Sequence, residues 1–253
     1  MFAFHRDEFD RERVVSSPFV STRTLFFVRF ILTLYMLIVN LQLLIYQASR
    51  GNARFLYAFF TNLSYIGLTS YMVTATVHTG IAAFNTTNRY YLFDLLPSFF
   101  SNVLLWLVYE TAIPYSFVVT VIYWSILYRA SDQPSAIKTY SNVSVHALNF
   151  VFAFIEMSLN RMVMKRSHTI YFCIPAVLYL CLAWMLYGIY GVFVYPFLDF
   201  VRYKAAIVGI IAGLVVGFIL VFMVFTLIHD VKDRLTRARY EAKHKNTLPG
   251  TPH

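Results

Sequence analysis

The sequence predicts an all-α, polytopic membrane bundle of six transmembrane helices with both termini in the cytosol. Three observations predict it. The 253 residues are 59% hydrophobic and 13% charged, with a mean hydropathy of +0.61. Soluble domains carry about 25% charged and about 45–50% apolar residues. Six stretches approach the roughly 20 apolar residues that cross a hydrocarbon layer of about 30 Å. Lys and Arg divide unevenly about those stretches, 15 on the side of the termini and six on the other. The positive-inside rule places the richer side in the cytosol. Arg29 is counted there with the N-terminal arm.

The elements follow in order. Residues 1–24 form a cytosolic arm whose opening, Met1 to Arg13, carries charges of both signs. A secretory leader would begin with a short basic segment and then an apolar one, so the first span is expected to be retained as an anchor. The membrane domain is expected over 25–228, with spans at 25–46, 55–78, 99–128, 143–160, 169–191 and 204–228. The third contains Glu110 and Pro114; a proline there removes an amide donor and favours a kink or tilt. The fourth is the weakest by hydropathy and holds Ser144, His146, Asn149 and Glu156. Polar groups are expensive in lipid, so these should face the bundle interior. Tyr195-Pro196-Phe197, after Gly191, reads as a break before the last span. A basic tail, 229–253, is expected to extend the last helix over Val231 to Tyr240 and then to lose order.

Several functions are excluded or disfavoured. The net charge of +9 does not point to nucleic acid, because the basic residues flank the spans rather than forming one soluble face. Cys173 and Cys181 are eight residues apart on one helix. At about 1.5 Å rise per residue their Cα atoms lie roughly 12 Å apart, beyond the roughly 7 Å a disulfide spans. No phosphate-binding loop, dinucleotide turn, serine-hydrolase elbow or zinc-protease helix occurs. Glycosylation sequons stand at Asn62, Asn85 and Asn142.

Thr61, early in the second span, and His146, early in the fourth, enter from the same outer side and reach a similar depth. A threonine hydroxyl is a poor nucleophile without a base, and imidazole is the usual one. Asn142, four residues before His146, would share its helical face and could orient the ring or donate to an oxyanion. Against this stand the ordinary roles: a membrane threonine bonding back to its own helix, and a membrane histidine serving as an interhelical hydrogen bond. His78, His168 and His229, near the cytosolic span ends, allow a haem-ligand reading, although interfacial histidines explain them as well. Glu110 and Glu156 read as a proton relay or as structural groups, with Glu156 near enough to pair with Arg161.

Four segments in order resemble the androgen-induced and androgen-dependent family of membrane proteins over roughly residues 55–228. They are Phe60-Thr61; Ile113-Pro114 through Val118-Val119 and Tyr123-Trp124; Asn142 and His146 followed by Phe154-Ile155-Glu156-Met157; and Gly191-Val192-Phe193-Val194-Tyr195-Pro196-Phe197-Leu198. The resemblance implies a multi-span hydrolase of fatty acid esters of hydroxy fatty acids. It places the catalytic threonine on Thr61 and the histidine on His146. It implies a lipid ester and membrane lipids as partners, no nucleic acid, no metal or organic cofactor, and residence in the endoplasmic reticulum or plasma membrane. Asn62-Leu63-Ser64 departs from the segment that follows the family's threonine, often with an acidic residue, which bears on substrate preference. A noncatalytic lipid-binding or solute-handling bundle is the alternative.

Overall fold

The computed structural model describes residues 9–85, 87–95, 99–128 and 135–244, and among them every regular element is helical. A short α1 (Arg11–Val15) precedes α2 (Thr22–Ser49), α3 (Phe60–Phe84) and the short α4 (Tyr91–Leu95). Helix α5 (Leu105–Ile122) is flanked by π-helical turns at Phe99–Leu104 and Tyr123–Leu127. Helices α6 (Ala136–Val143) and α7 (Asn149–Leu159) join through a third π turn, Ser144–Leu148. Then come α8 (Thr169–Tyr190), the short α9 (Phe200–Tyr203) and α10 (Ala206–His244). Helix α10 thus runs on through Val231–Tyr240, as the sequence suggests; the chain after 244 lies outside the described residues.

Five helical runs are long and apolar enough to cross a membrane: Thr22–Ser49, Asn102–Leu127, Ala136–Leu159, Arg166–Tyr190 and Ala206–Glu241. The expected second span is α3, which has the length, 25 residues or about 37 Å, but not the hydropathy. Its position explains that. It packs between α2 and α5, and twelve of its residues are buried. The threonines and tyrosines of α3 meet other helices instead of lipid, so polar side chains are tolerated there. The outer helices show the opposite character, with Ile31 65%, Leu178 63% and Val208 70% exposed. Apolar surface on that scale needs a lipid solvent.

One charge departs from the sequence reading. Arg29, counted with the arm, lies inside α2 and is 0% exposed. It pairs with Glu156 through two hydrogen bonds, Nε to Oε2 at 2.9 Å and Nη2 to Oε1 at 2.5 Å. It also donates to Thr79 Oγ1 and, at 2.7 Å, to the Val14 carbonyl. Tyr71 and Asn160 add hydrogen bonds to Glu156 at 2.7 and 2.9 Å. Glu156 therefore pairs with Arg29 and not with Arg161, whose guanidinium sits 3.3 Å from the Tyr240 ring centroid.

The described part of the arm, residues 9–24, is packed against the bundle. Val14 and Val15 are fully buried in the core. Arg13 bonds Asp233 at 2.6 Å, and the Tyr240 hydroxyl donates to Glu12 at 2.9 Å. The N-terminal segment and the end of α10 therefore meet at one end of the bundle.

Helix α5 continues through Pro114 without ending. Glu110, one turn earlier, holds the 161–168 connection: its carboxylate accepts from the Lys165 N–H at 2.9 Å and lies 2.6 Å from His168 Nδ1. At the other end, Gly191 closes α8 at φ +69°, a left-handed cap conformation that glycine adopts without strain. The expected break follows, with Pro196 opening a 3-10 turn. Both cysteines are free.

Candidate active site

Between α3, α5, α8 and α10, at the end of the bundle away from the termini, lies an apolar cavity of about 140 Å³. Phe60, Thr61, Val118, Tyr123, Tyr179 and Tyr195 are among its lining residues. Thr61 owes its place to where α3 begins. A 3-10 turn, Ala53–Ala58, ends at Phe59, whose extended backbone starts the helix at Phe60. Thr61 thus falls in the first turn, with no helical turn behind it. Thr69, Thr76, Thr79, Thr120 and Thr226 all donate their hydroxyls to the carbonyl four residues earlier. Thr61 has no such carbonyl. It is 7% exposed, and its hydroxyl faces the Tyr195 hydroxyl rather than a carbonyl of its own helix.

The same helix start leaves backbone donors over. The hydrogen-bond ladder of α3 begins at Asn62 and Leu63, both bonded to the Phe59 carbonyl, and no side chain caps the helix. The first N–H groups of a helix have no partner within it. The Tyr195 hydroxyl lies against the Phe60 and Thr61 backbone and the Thr61 side chain.

His146 sits on the π turn Ser144–Leu148, which packs against α3 and α5. The second and fourth spans are therefore neighbours. The imidazole stacks on Tyr123, ring centroids 3.5 Å apart and planes 6° apart. Trp124 Nε1 donates to the His146 carbonyl at 3.0 Å. Tyr123 and Trp124 stand on the π turn of the third span, so two π turns face each other here; such turns are frequent at functional sites. Nδ1 of His146 is buried without a partner. No hydrogen bond joins His146 to Thr61: Tyr123 lines the cavity and His146 lies behind it. Asn142 is half-buried at the end of α6, four residues before His146.

The model of the FAR-17a/AIG1-like protein family matches residues 26–229. The chain belongs to that family. No curated protein and no solved structure matches it. The region matched to the FAR-17a/AIG1-like family holds Thr61, Tyr123, His146 and Tyr195, and leaves out the arm and most of the tail.

His78, His168 and His229 of this FAR-17a/AIG1-like chain do not line the cavity. His229 lies 2.7 Å from the Tyr109 hydroxyl through Nε2 and 2.7 Å from the Phe225 carbonyl through Nδ1, so both nitrogens are engaged. His168 is held by Glu110, and His78 stacks on Phe93 at 3.9 Å. Among the described residues no group of three His, Cys, Asp or Glu could hold a metal ion. Sequence reasoning missed Tyr195 as a site residue, reading Tyr195-Pro196-Phe197 as a helix break; an aromatic-proline-aromatic run was the available signal. The π turns had no signal.

Proposed function

We propose that this chain is a six-span intramembrane hydrolase of lipid esters, with Thr61 as nucleophile and His146 as general base. Fatty acid esters of hydroxy fatty acids are the substrate class that the family resemblance supports. The observation that carries the reading is the state of Thr61: a buried threonine, unbonded to its own helix, on the wall of an apolar cavity. Lipid esters partition into such surroundings. The cavity is smaller than the roughly 300–1,000 Å³ of ordinary ligand sites, which suits a site that encloses the ester while the chains run out among the helices.

Thr61 Oγ attacks the carbonyl carbon and its proton passes to His146. The alkoxide leaves with that proton, giving an acyl-threonine. Water, deprotonated by His146, attacks the acyl carbon; collapse returns the Thr61 hydroxyl and releases the acid. Catalytic contacts are often long in the empty enzyme and close with substrate, directly or through one water. Both termini face the cytosol, and water reaches Thr61 from the opposite face.

A noncatalytic lipid-binding bundle is the second reading, favoured by the missing Thr61–His146 hydrogen bond. Fluorophosphonate labelling of purified protein, read by intact mass, separates the two. The hydrolase gives a single adduct that disappears in Thr61→Ala. Folded wild-type protein that takes no adduct would reject the hydrolase.

A further inference from the structure

Three tyrosines line the cavity, and they differ in what their hydroxyls do. Tyr179 donates to the Ala58 carbonyl at 2.9 Å. Tyr123 carries the stacked His146. Tyr195 is 8% exposed, and its hydroxyl meets the Thr61 side chain and the backbone of Phe60 and Thr61. Its ring is firmly held. It stacks on Phe197 at 5.2 Å and 7°, and meets Phe59 edge-on at 6.1 Å. Pro196 opens the turn behind it, and the Leu198 N–H closes that turn on the Tyr195 carbonyl at 3.0 Å. A rigid side chain thus holds a hydroxyl against the Thr61 side chain, at the uncapped start of α3.

We infer that Tyr195 is a catalytic residue of this site, its hydroxyl donating to the oxyanion that forms when Thr61 adds to the ester carbonyl. The inference rests on the threonine-hydrolase reading. As the Thr61 Oγ–carbon bond forms, the carbonyl π pair moves onto oxygen, and the Thr61 proton goes to His146. The new oxyanion accepts from the Tyr195 O–H and the first N–H groups of α3. When it collapses, the carbon–alkoxy bond breaks and the alkoxide takes the proton from His146. Tyr195 keeps its own proton throughout. The nucleophile and its oxyanion donors then come from one helix start and one proline-fixed turn. Donors held in place before the reaction need no reorganisation during it, and removing one from such a site lowers kcat by about 10²–10³.

The experiment compares wild type, Tyr195→Phe and Thr61→Ala, purified at full length. It reads the rate of fluorophosphonate labelling, kcat and KM on a hydroxy-fatty-acid ester, inhibition by a long-chain trifluoromethyl ketone, and the melting temperature. Tyr195→Phe removes one oxygen and keeps the packed ring, so it should fold and melt close to wild type. It should still label at Thr61, with kcat lowered about 100-fold and KM within about twofold, since the donor acts on the transition state alone. The ketone, whose adduct carries the same oxyanion, should lose a comparable factor in affinity. Unchanged kcat and ketone affinity in Tyr195→Phe would overturn the role. So would a raised KM with kcat intact, or a lowered melting temperature as the sole effect. Wild type that takes no label at Thr61 would overturn the threonine reading and Tyr195 with it. Labelling of wild type together with an unaffected Tyr195→Phe would overturn the inference alone.

Discussion

At the end of the bundle that carries the termini, Glu156 accepts four hydrogen bonds from Arg29, Tyr71 and Asn160, all buried. At the opposite end, Thr61 and Tyr195 are also buried, their hydroxyls meet on the wall of the cavity, and His146 Nδ1 has no partner. Both ends hold polar groups in an apolar setting, and burial does not tell them apart. Position does. The first cluster is saturated by hydrogen bonds that tie helices together, while Thr61 and Tyr195 of the second line a cavity.

Breaking each end should therefore have opposite consequences. Thr61→Ala should abolish turnover and labelling while the protein still folds, because the hydroxyl is not bonded to its own helix; Thr61→Ser should keep part of the activity. Loss of the folded protein in Thr61→Ala, seen by size-exclusion profile, would make Thr61 a packing residue and erase the contrast. His146→Ala should lower kcat by about 10²–10⁴, the range for a positioned general base. Glu156→Ala should act on the fold, destabilising by about 3–5 kcal/mol because it strands Arg29 inside the bundle. The double variant Arg29→Met, Glu156→Met should recover much of that stability by thermal melting. If it instead folds and loses hydrolysis, the terminal end shares in the chemistry.

The smallest effect is expected at the surface. The Asp94 carboxyl is held below its usual range by the Asn88 amide and then by Arg11. Its contribution is present above the ordinary carboxylate pKa and fades as the pH falls through the lowered value. The group is exposed, so Asp94→Asn should leave the melting temperature unchanged at neutral pH, as exposed ion pairs generally do.

The apolar outer helices were legible because facing lipid demands long apolar runs, and α2, α8 and α10 have them. Helix α3 was legible by length, although its polar residues belong to a helix enclosed by others. Arg29 was misplaced because its partner lies 127 residues away and no local pattern announces it. Thr61 and His146 could be singled out from depth, side-chain chemistry and family resemblance. Their geometry could not, because it depends on where α3 starts and on π turns that carry no residue signature.

The Arg29–Glu156 pair has a consequence for biogenesis. Arg29 is synthesised in the first span, and its counter-ion follows 127 residues later. At about 5–20 residues per second, the arginine waits roughly 6–25 s for its carboxylate. Throughout that interval the first helix carries an uncompensated cation that disfavours settling into lipid. The early chain should therefore linger at the insertion machinery, and truncated nascent chains ending before Glu156 should be extracted from the membrane more readily than those that include it.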